Sequence, residues 1–224
     1  MVRDQAIWLL SEGFSVVPVS SDKRPTVSNW KTLQHRPMMH DYADEAFSNA
    51  YGVAVICGSV SGNLEAIDFD GEEAAELFHK WSNDAGVADI IIRNNLYIEK
   101  TPSGGIHVIY RCDYPVQGNK KLAHYANGKV SIETRGEGGY IIISPTPHYS
   151  AQHGNMLRLP TITSDERDYL IINAKSLDRL SVSTSSTPKD LSEVTIKTDP
   201  ISLYNWTRQH EAKRLLTEIG WTLI

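Results

Sequence analysis

Two aspartates separated by one residue give the strongest chemical signal in this sequence of 224 residues. Asp68 and Asp70 lie in the run AIDFD at residues 66–70, within a stretch whose pattern predicts an extended strand. Residues i and i+2 of a strand point to the same face, so the two carboxylates would lie roughly 6–7 Å apart along it. Two like charges this close favour a cation between them, and oxygen ligands suit Mg²⁺ or Mn²⁺. The alternative is that Asp-x-Asp merely ends an edge strand at Gly71.

A second group of candidate residues lies in the run TPSGGIH at residues 101–107. Gly104 and Gly105 allow a tight turn in which backbone N–H groups approach a ligand closely. Ser103 adds a hydroxyl, and His107 lies on the strand that leaves the turn. Such a turn is typical of a cradle for phosphate oxygens. The alternative is an ordinary Gly-Gly hairpin with a half-buried histidine.

The third group is the pair Glu133 and Arg135, which share one strand face and precede a glycine-rich turn. On their own they are also consistent with a structural ion pair. Together with Asp68 and Asp70, Glu133 would complete a metal site, and Arg135 would bind phosphate through both arms of its guanidinium. Three carboxylates, a histidine and an arginine on adjacent strands would form a two-metal site for phosphoryl transfer.

These residues must be positioned by strands, and the surrounding pattern predicts an α+β domain with a largely antiparallel sheet. Strands are predicted from FSVVPV, VAVICG and LEAIDFD, and two hairpins from residues 96–112 and 130–144. The connection at residues 113–129 is predicted to be a basic loop, in which Lys120 and Lys121 either contact a bound polyanion or are simply solvated. Helices are predicted at residues 4–12, 41–49, 71–86, 164–174 and 202–220.

Composition restricts the class of protein. Hydrophobic residues are 41% and charged residues 22% of the chain, which is typical of a globule with a core and excludes wholesale disorder. No apolar run suits a bilayer span and the first residues are no signal peptide, so we expect a cytoplasmic protein without a membrane partner. Cys57 and Cys112 form no CxxC motif, which argues against a structural zinc site. The net charge of −5 argues weakly against a protein that coats nucleic acid by bulk charge.

The order and spacing of AIDFD, SGGIH and IETRGEGGY resemble the prim-pol family of archaeo-eukaryotic primases. That family is marked by an Asp-x-Asp or Asp-x-Glu motif, a Ser-x-His or SGG-x-H motif, and a third acidic residue before a Gly-rich turn. The opening of the chain is similar as well, with a Gly, Pro, Lys-x-Pro, Trp series between residues 13 and 30. The resemblance covers roughly residues 3–150.

The resemblance implies a catalytic RRM-like antiparallel sheet joined to an N-terminal α/β unit, followed by a helical C-terminal tail. It also implies a nucleotidyltransferase, a DNA primase or polymerase, that uses two divalent ions, Mg²⁺ or Mn²⁺. The third acidic position is often Asp in the wider superfamily, whereas here it is Glu133. The implied metal ligands are Asp68, Asp70 and Glu133, which with His107 are the implied catalytic residues. The candidate nucleotide-binding residues are Ser103, Gly104, Gly105, His107, Arg135, Lys120 and Lys121.

The expected partners are nucleoside triphosphates and a single-stranded DNA template with its primer, in phage or mobile-element replication. The resemblance thus implies the cytoplasm of a bacterium or of a phage-infected host. We expect the catalytic domain at residues 1–178, a linker at residues 179–200, and a helical segment at residues 201–224 that leads to a helicase region of a longer chain. A two-metal nuclease, a non-catalytic single-strand-binding module and a nucleotide-sugar transferase are the rival hypotheses. The nuclease hypothesis does not explain the triphosphate cradle, because a nuclease needs none. A binding module would expose aromatic residues at the strand positions where this chain has carboxylates. The transferase hypothesis does not account for the third acidic motif.

Overall fold

The computed structural model describes residues 2–180, which contain five α-helices and ten strands. None of the helices in this part of the chain is long and apolar enough to cross a membrane. Most of the predicted linker and the whole predicted C-terminal helical segment lie outside the described residues. The helices are α1 (Val2–Ser11), α2 (His40–Ala46), α3 (Ala74–Ser82), α4 (Ala85–Asn94) and α5 (Ser164–Lys175). The strands are β1 (Val16–Val19), β2 (Gly52–Ile56), β3 (Leu64–Phe69), β4 (Tyr97–Lys100), β5 (Ile106–Cys112), β6 (Lys120–His124), β7 (Val130–Arg135), β8 (Tyr140–Ile143), β9 (Ser150–His153) and β10 (Thr161–Ile162).

The strands form two sheets, here called the small sheet and the large sheet. The small sheet is antiparallel and has the order β1-β2-β8. The large sheet has the antiparallel order β6-β7-β3-β5-β4-β9, and β10 pairs with β5 in parallel. The predicted α+β class with antiparallel sheets is therefore confirmed, while the RRM-like character of the sheet stays a prediction.

Alternation along β3 explains how the large sheet separates its core from its polar face. Ile67 and Phe69 are fully buried in an apolar core that also contains Trp81 and the inward faces of α3, α4 and α5. Ala66 and Asp68 point to the opposite face, because side chains alternate along a strand. Ala66 packs into the second core, which lies against the small sheet, whereas Asp68 is absent from that apolar cluster. On this face of β3 the apolar Ala66 is thus followed, two positions later, by the carboxylate of Asp68.

The first predicted hairpin is confirmed, because β4 and β5 pair around the turn at residues 101–105. The second is wrong. β7 pairs with β3 and β6, whereas β8 pairs with β2 in the small sheet, so the Gly-rich turn carries the chain from one sheet to the other. At Gly136 the carbonyl of Gln117 occupies the position that a Cβ would take, so this turn packs against the chain that enters β6. A strand-turn-strand pattern does not specify such a distant partner.

The predicted basic loop is also wrong in part, because residues 113–129 contain the edge strand β6. Its register places Lys121 opposite Glu133 and Lys120 opposite Thr134, so the two lysines point to opposite faces of the sheet. Exposed edge strands commonly carry lysine, which protects them from pairing with other chains. Because such a strand is polar, its sequence looks like that of a loop. Helix α4 and strands β9 and β10 are likewise missing from the sequence-based prediction.

Candidate active site

Four ionisable side chains form a row across the large sheet. The register pairs Asp68 of β3 with Glu133 of β7 on one side and with His107 of β5 on the other. His107 is paired in turn with Glu99 of β4. Directly paired residues of antiparallel strands lie on the same face, so the order of the row is Glu133, Asp68, His107, Glu99. Three of these four residues are predicted by the sequence motifs, and Glu99 is not.

The row borders a cleft of about 430 Å³ that lies between residues of the large sheet and residues of β8. Asp70, which directly follows β3, also lines the cleft, and its Oδ1 accepts a hydrogen bond from the Gly71 N–H at 2.9 Å. The structure therefore brings the three sequence motifs together. The predicted site residues that line the cleft are Asp68, Asp70, Ser103, His107 and Arg135. The predicted site residues that do not line it are Glu133, Gly104, Gly105, Lys120 and Lys121.

Arg135 lies between two of the carboxylates. Its Nη2 is 3.2 Å from Oδ2 of Asp68 and 2.5 Å from Oε1 of Glu133. Burial raises the pKa of Glu133, Arg135 opposes this rise, and the charges of Asp68 and Asp70 add to it. Burial alone would lower the pKa of Arg135, but Asp68 and Glu133 outweigh burial and raise it. The guanidinium thus supplies positive charge to a carboxylate cluster that needs it.

The donor chemistry of this cluster fits a divalent cation. Asp68, Asp70 and Glu133 offer carboxylate oxygens, the ligands that Mg²⁺ and Mn²⁺ prefer. Within residues 2–180 no three Asp, Glu, His or Cys side chains are already gathered in an arrangement that holds a metal ion. The space between Asp68 and Glu133 is instead bridged by the guanidinium of Arg135. A cation at that place requires Arg135 to release these contacts.

The glycine-rich turn before β5 contributes hydroxyl groups to the cleft. Gly104 has a φ of +86°, a left-handed conformation that favours glycine. Its N–H donates to the Thr101 carbonyl at 3.0 Å, and the Thr101 N–H donates to the Gly105 carbonyl at 2.9 Å. The N–H of Gly104 is therefore committed to the turn. The hydroxyls of Thr101 and Ser103 lie 3.2 Å apart, and both residues line the cleft.

Aromatic side chains line the cleft as well. Trp30 and Tyr140 contact each other edge to face with ring centroids 5.3 Å apart, and the Tyr140 hydroxyl donates to the Lys23 carbonyl at 3.2 Å. The Tyr149 ring centroid lies 6.0 Å from that of His107. Burial, together with nearby carboxylates, raises the pKa of Tyr149 to about 12, so its hydroxyl keeps its proton and can donate. No motif in the sequence marks Tyr149, which lies in the segment between β8 and β9.

The sequence profile of one protein family matches residues 6–168 of the chain. The family is described as bifunctional DNA primase/polymerase, N-terminal, or Prim-Pol. The match begins in α1, ends in α5 and includes the row and every residue that lines the cleft. A comparison with curated proteins finds no match.

Proposed function

The chain belongs to the Prim-Pol family of bifunctional DNA primase/polymerases, and from this membership we propose that it joins nucleoside triphosphates along a single-stranded DNA template. Membership indicates DNA primase/polymerase activity, with DNA and nucleotides as substrates. The observation that supports the proposal most strongly is the row of Glu133, Asp68 and His107 beside the cleft that Asp70 and Arg135 also line. Such a site suits phosphoryl transfer, in which catalysis consists of positioning and charge stabilisation.

Each side chain has a role in this proposal. Asp68, Asp70 and Glu133 would hold two Mg²⁺ or Mn²⁺ ions, which when bound would activate the attacking 3′-hydroxyl and neutralise the triphosphate. Arg135 would turn its planar guanidinium away from the carboxylates and toward the phosphate. Two of its N–H groups can then donate to two phosphate oxygens at once. The hydroxyls beside the turn and the imidazole of His107 would hold the remaining phosphate oxygens.

The aromatic residues of the cleft suit the nucleoside part of the substrate, because a base or sugar can pack against an aromatic ring. Trp30, Tyr140 and Tyr149 are the residues available for this contact. Lys121 shares the face of Glu133 and is therefore the better placed of the two predicted lysines to contact a phosphate. Phage or mobile-element replication and a helicase region in a longer chain stay predictions from the family resemblance.

A product-length assay tests the proposed function. The protein is incubated with single-stranded DNA, labelled ribo- or deoxynucleotides and Mg²⁺ or Mn²⁺, with and without an annealed primer. We expect products whose composition follows the template, and products formed without a primer would demonstrate priming. An Asp70→Asn variant purified in parallel excludes a contaminating polymerase. Cleavage of the template without incorporation would contradict the proposal and favour the nuclease hypothesis.

Alanine at Gly105 is expected to lower nucleotide incorporation by about 10- to 100-fold, because small displacements of reacting groups are costly. A Cβ there would lie 2.7 Å from the Phe69 carbonyl oxygen and 2.9 Å from the Thr101 hydroxyl, so the end of β3 or the turn must move. Asp70 directly follows Phe69 and would move with it. Primer-extension rates and thermal melts measure the effect.

Gly128→Ala is the matched control for this change. Gly128 has a φ of +82° in the turn between β6 and β7, and apart from its two chain neighbours no described residue has an atom within 4 Å of its Cβ position. Its replacement is expected to cost about 1 kcal/mol of stability through backbone strain while incorporation stays unchanged. Equal loss of incorporation in the two variants would mean that general destabilisation explains the effect of Gly105→Ala.

A further inference from the structure

Glu99 is a fully buried carboxylate that does not line the cleft but contacts His107, which does. It lies on β4 directly opposite His107, and its Oε1 is 2.9 Å from Nδ1 of the imidazole. A buried carboxylate is costly unless it is hydrogen-bonded, so its partners indicate what it stabilises.

The second oxygen of Glu99 is held by two donors. Oε2 accepts hydrogen bonds from the Tyr97 hydroxyl at 3.1 Å and from the Ser144 N–H at 3.0 Å. Ser144 directly follows β8, so Glu99 connects the large sheet to the end of a strand of the small sheet. These two hydrogen bonds orient the carboxylate and leave Oε1 aimed at His107.

The contact with Glu99 determines which nitrogen of His107 faces Asp68. Nδ1 lies against Glu99, whereas Nε2 lies 3.6 Å from Oδ1 of Asp68. A carboxylate oxygen accepts hydrogen bonds, and a hydrogen bond at one ring nitrogen determines which nitrogen carries the proton. The 2.9 Å contact of Nδ1 is within hydrogen-bonding distance and the 3.6 Å contact of Nε2 is not, so we assign the proton of a neutral ring to Nδ1, while Nε2 faces Asp68 at the cleft.

We propose that Glu99 is a positioning residue, which holds His107 in its Nδ1–H form with Nε2 turned toward the phosphates of an incoming nucleotide. The inference rests on the proposed function of the cleft. Glu99 itself does not contact the nucleotide in this arrangement and acts only through His107.

The protonation form of His107 can be measured without any enzymatic assay. Nitrogen-15 NMR of the imidazole, recorded where the ring is neutral and assigned with His107→Ala, distinguishes the two forms. We expect the proton on Nδ1 in the wild-type protein and a mixture of forms in Glu99→Gln. A proton only on Nε2 in the wild type would overturn the inference, and this result does not depend on whether Glu99→Gln folds.

Kinetics give the second test. In Glu99→Gln we expect the KM for deoxynucleoside triphosphates with Mn²⁺ to rise about 10- to 100-fold, by analogy with the loss seen when the hydrogen-bond partner of a metal-ligating histidine is removed. Glu65→Gln is the matched control, because Glu65 is an equally buried glutamate of the large sheet that contacts Tyr110 and Arg167 instead of the cleft. That control is expected to lower the melting temperature and to leave the KM unchanged.

A double-mutant cycle separates positioning from a merely structural role. If Glu99 acts through His107, adding Glu99→Gln to His107→Ala leaves the KM of His107→Ala unchanged. An additional rise of the same size in both backgrounds would overturn the inference. If the wild-type protein incorporates no nucleotide, the proposed function fails, while the NMR measurement still decides the role of Glu99.

Discussion

Replacing Asp68 with asparagine is expected to reduce nucleotide incorporation by about 10³-fold. Asp68 is the centre of the row, with Glu133 and His107 as its direct neighbours on either side, and it contacts Arg135. Asparagine keeps the shape of the side chain but loses the charge that a divalent cation requires. Stabilisation of transition-state charge by a metal ion is worth several kcal/mol, and about 4 kcal/mol corresponds to about 10³-fold in rate.

Single-turnover primer extension measures this effect, and titration with Mn²⁺ shows whether metal affinity falls with it. Asp89→Asn is the matched control, because Asp89 is an exposed carboxylate of α4 outside the cleft and should tolerate the change. Asp68→Asn could instead keep more than about a tenth of the wild-type rate, which corresponds to an effect of about 1.4 kcal/mol or less. That result would show that Asp68 is not an essential metal ligand.

Arg167→Ala is expected to lower the free energy of unfolding by about 3–5 kcal/mol, which is the usual effect of breaking a buried ion pair. Arg167 of α5 donates from Nε and Nη2 to the two oxygens of Glu65 at 2.7 and 2.8 Å. Glu65 is fully buried on β3, and the Tyr110 hydroxyl also donates to it at 3.0 Å. The hydrogen bond with Glu65 raises the pKa of Arg167, so the guanidinium stays charged. Removing the guanidinium leaves an unpaired carboxylate inside the protein.

Chemical denaturation measures this loss, which is a large fraction of the stability of an ordinary domain. Arg3→Ala is the control, because Arg3 and Asp44 form an ion pair whose side chains are about half exposed, and it should change stability little. Replacing both partners, with Glu65→Leu and Arg167→Met, is expected to recover much of the loss, since an apolar pair of similar volume leaves no buried charge. A loss under about 1 kcal/mol in Arg167→Ala would mean that the pair behaves as a surface ion pair does.

Much of the row could be predicted from the sequence, because it depends on short spacings. Asp68 and Asp70 line one cleft, as their i and i+2 positions require. Ser103 and His107 reach the same cleft from a turn that the sequence predicts correctly. That Glu133 belongs with these motifs was inferred from the family resemblance. The match to residues 6–168 confirms that resemblance.

Other parts of the site depend on contacts between residues that are distant in the sequence. The two lysines of β6 look equivalent in the sequence, but the register with β7 sends Lys120 and Lys121 to opposite faces. The second hairpin pattern predicts pairing between β7 and β8, yet the two strands enter different sheets. Pairing partners are chosen by packing across the whole domain, and a local pattern of strand and turn residues carries no information about that choice.

The sequence by itself determined which side chains are candidates for the chemistry and which of them share a strand face, because side-chain alternation is a local property of the backbone. Only the tertiary structure decided their neighbours. It placed Arg135 between Asp68 and Glu133, and it set Glu99 against His107 in the interior. These contacts arise from the register of β3, β4, β5 and β7, and register is settled by burial of the apolar face against the helices.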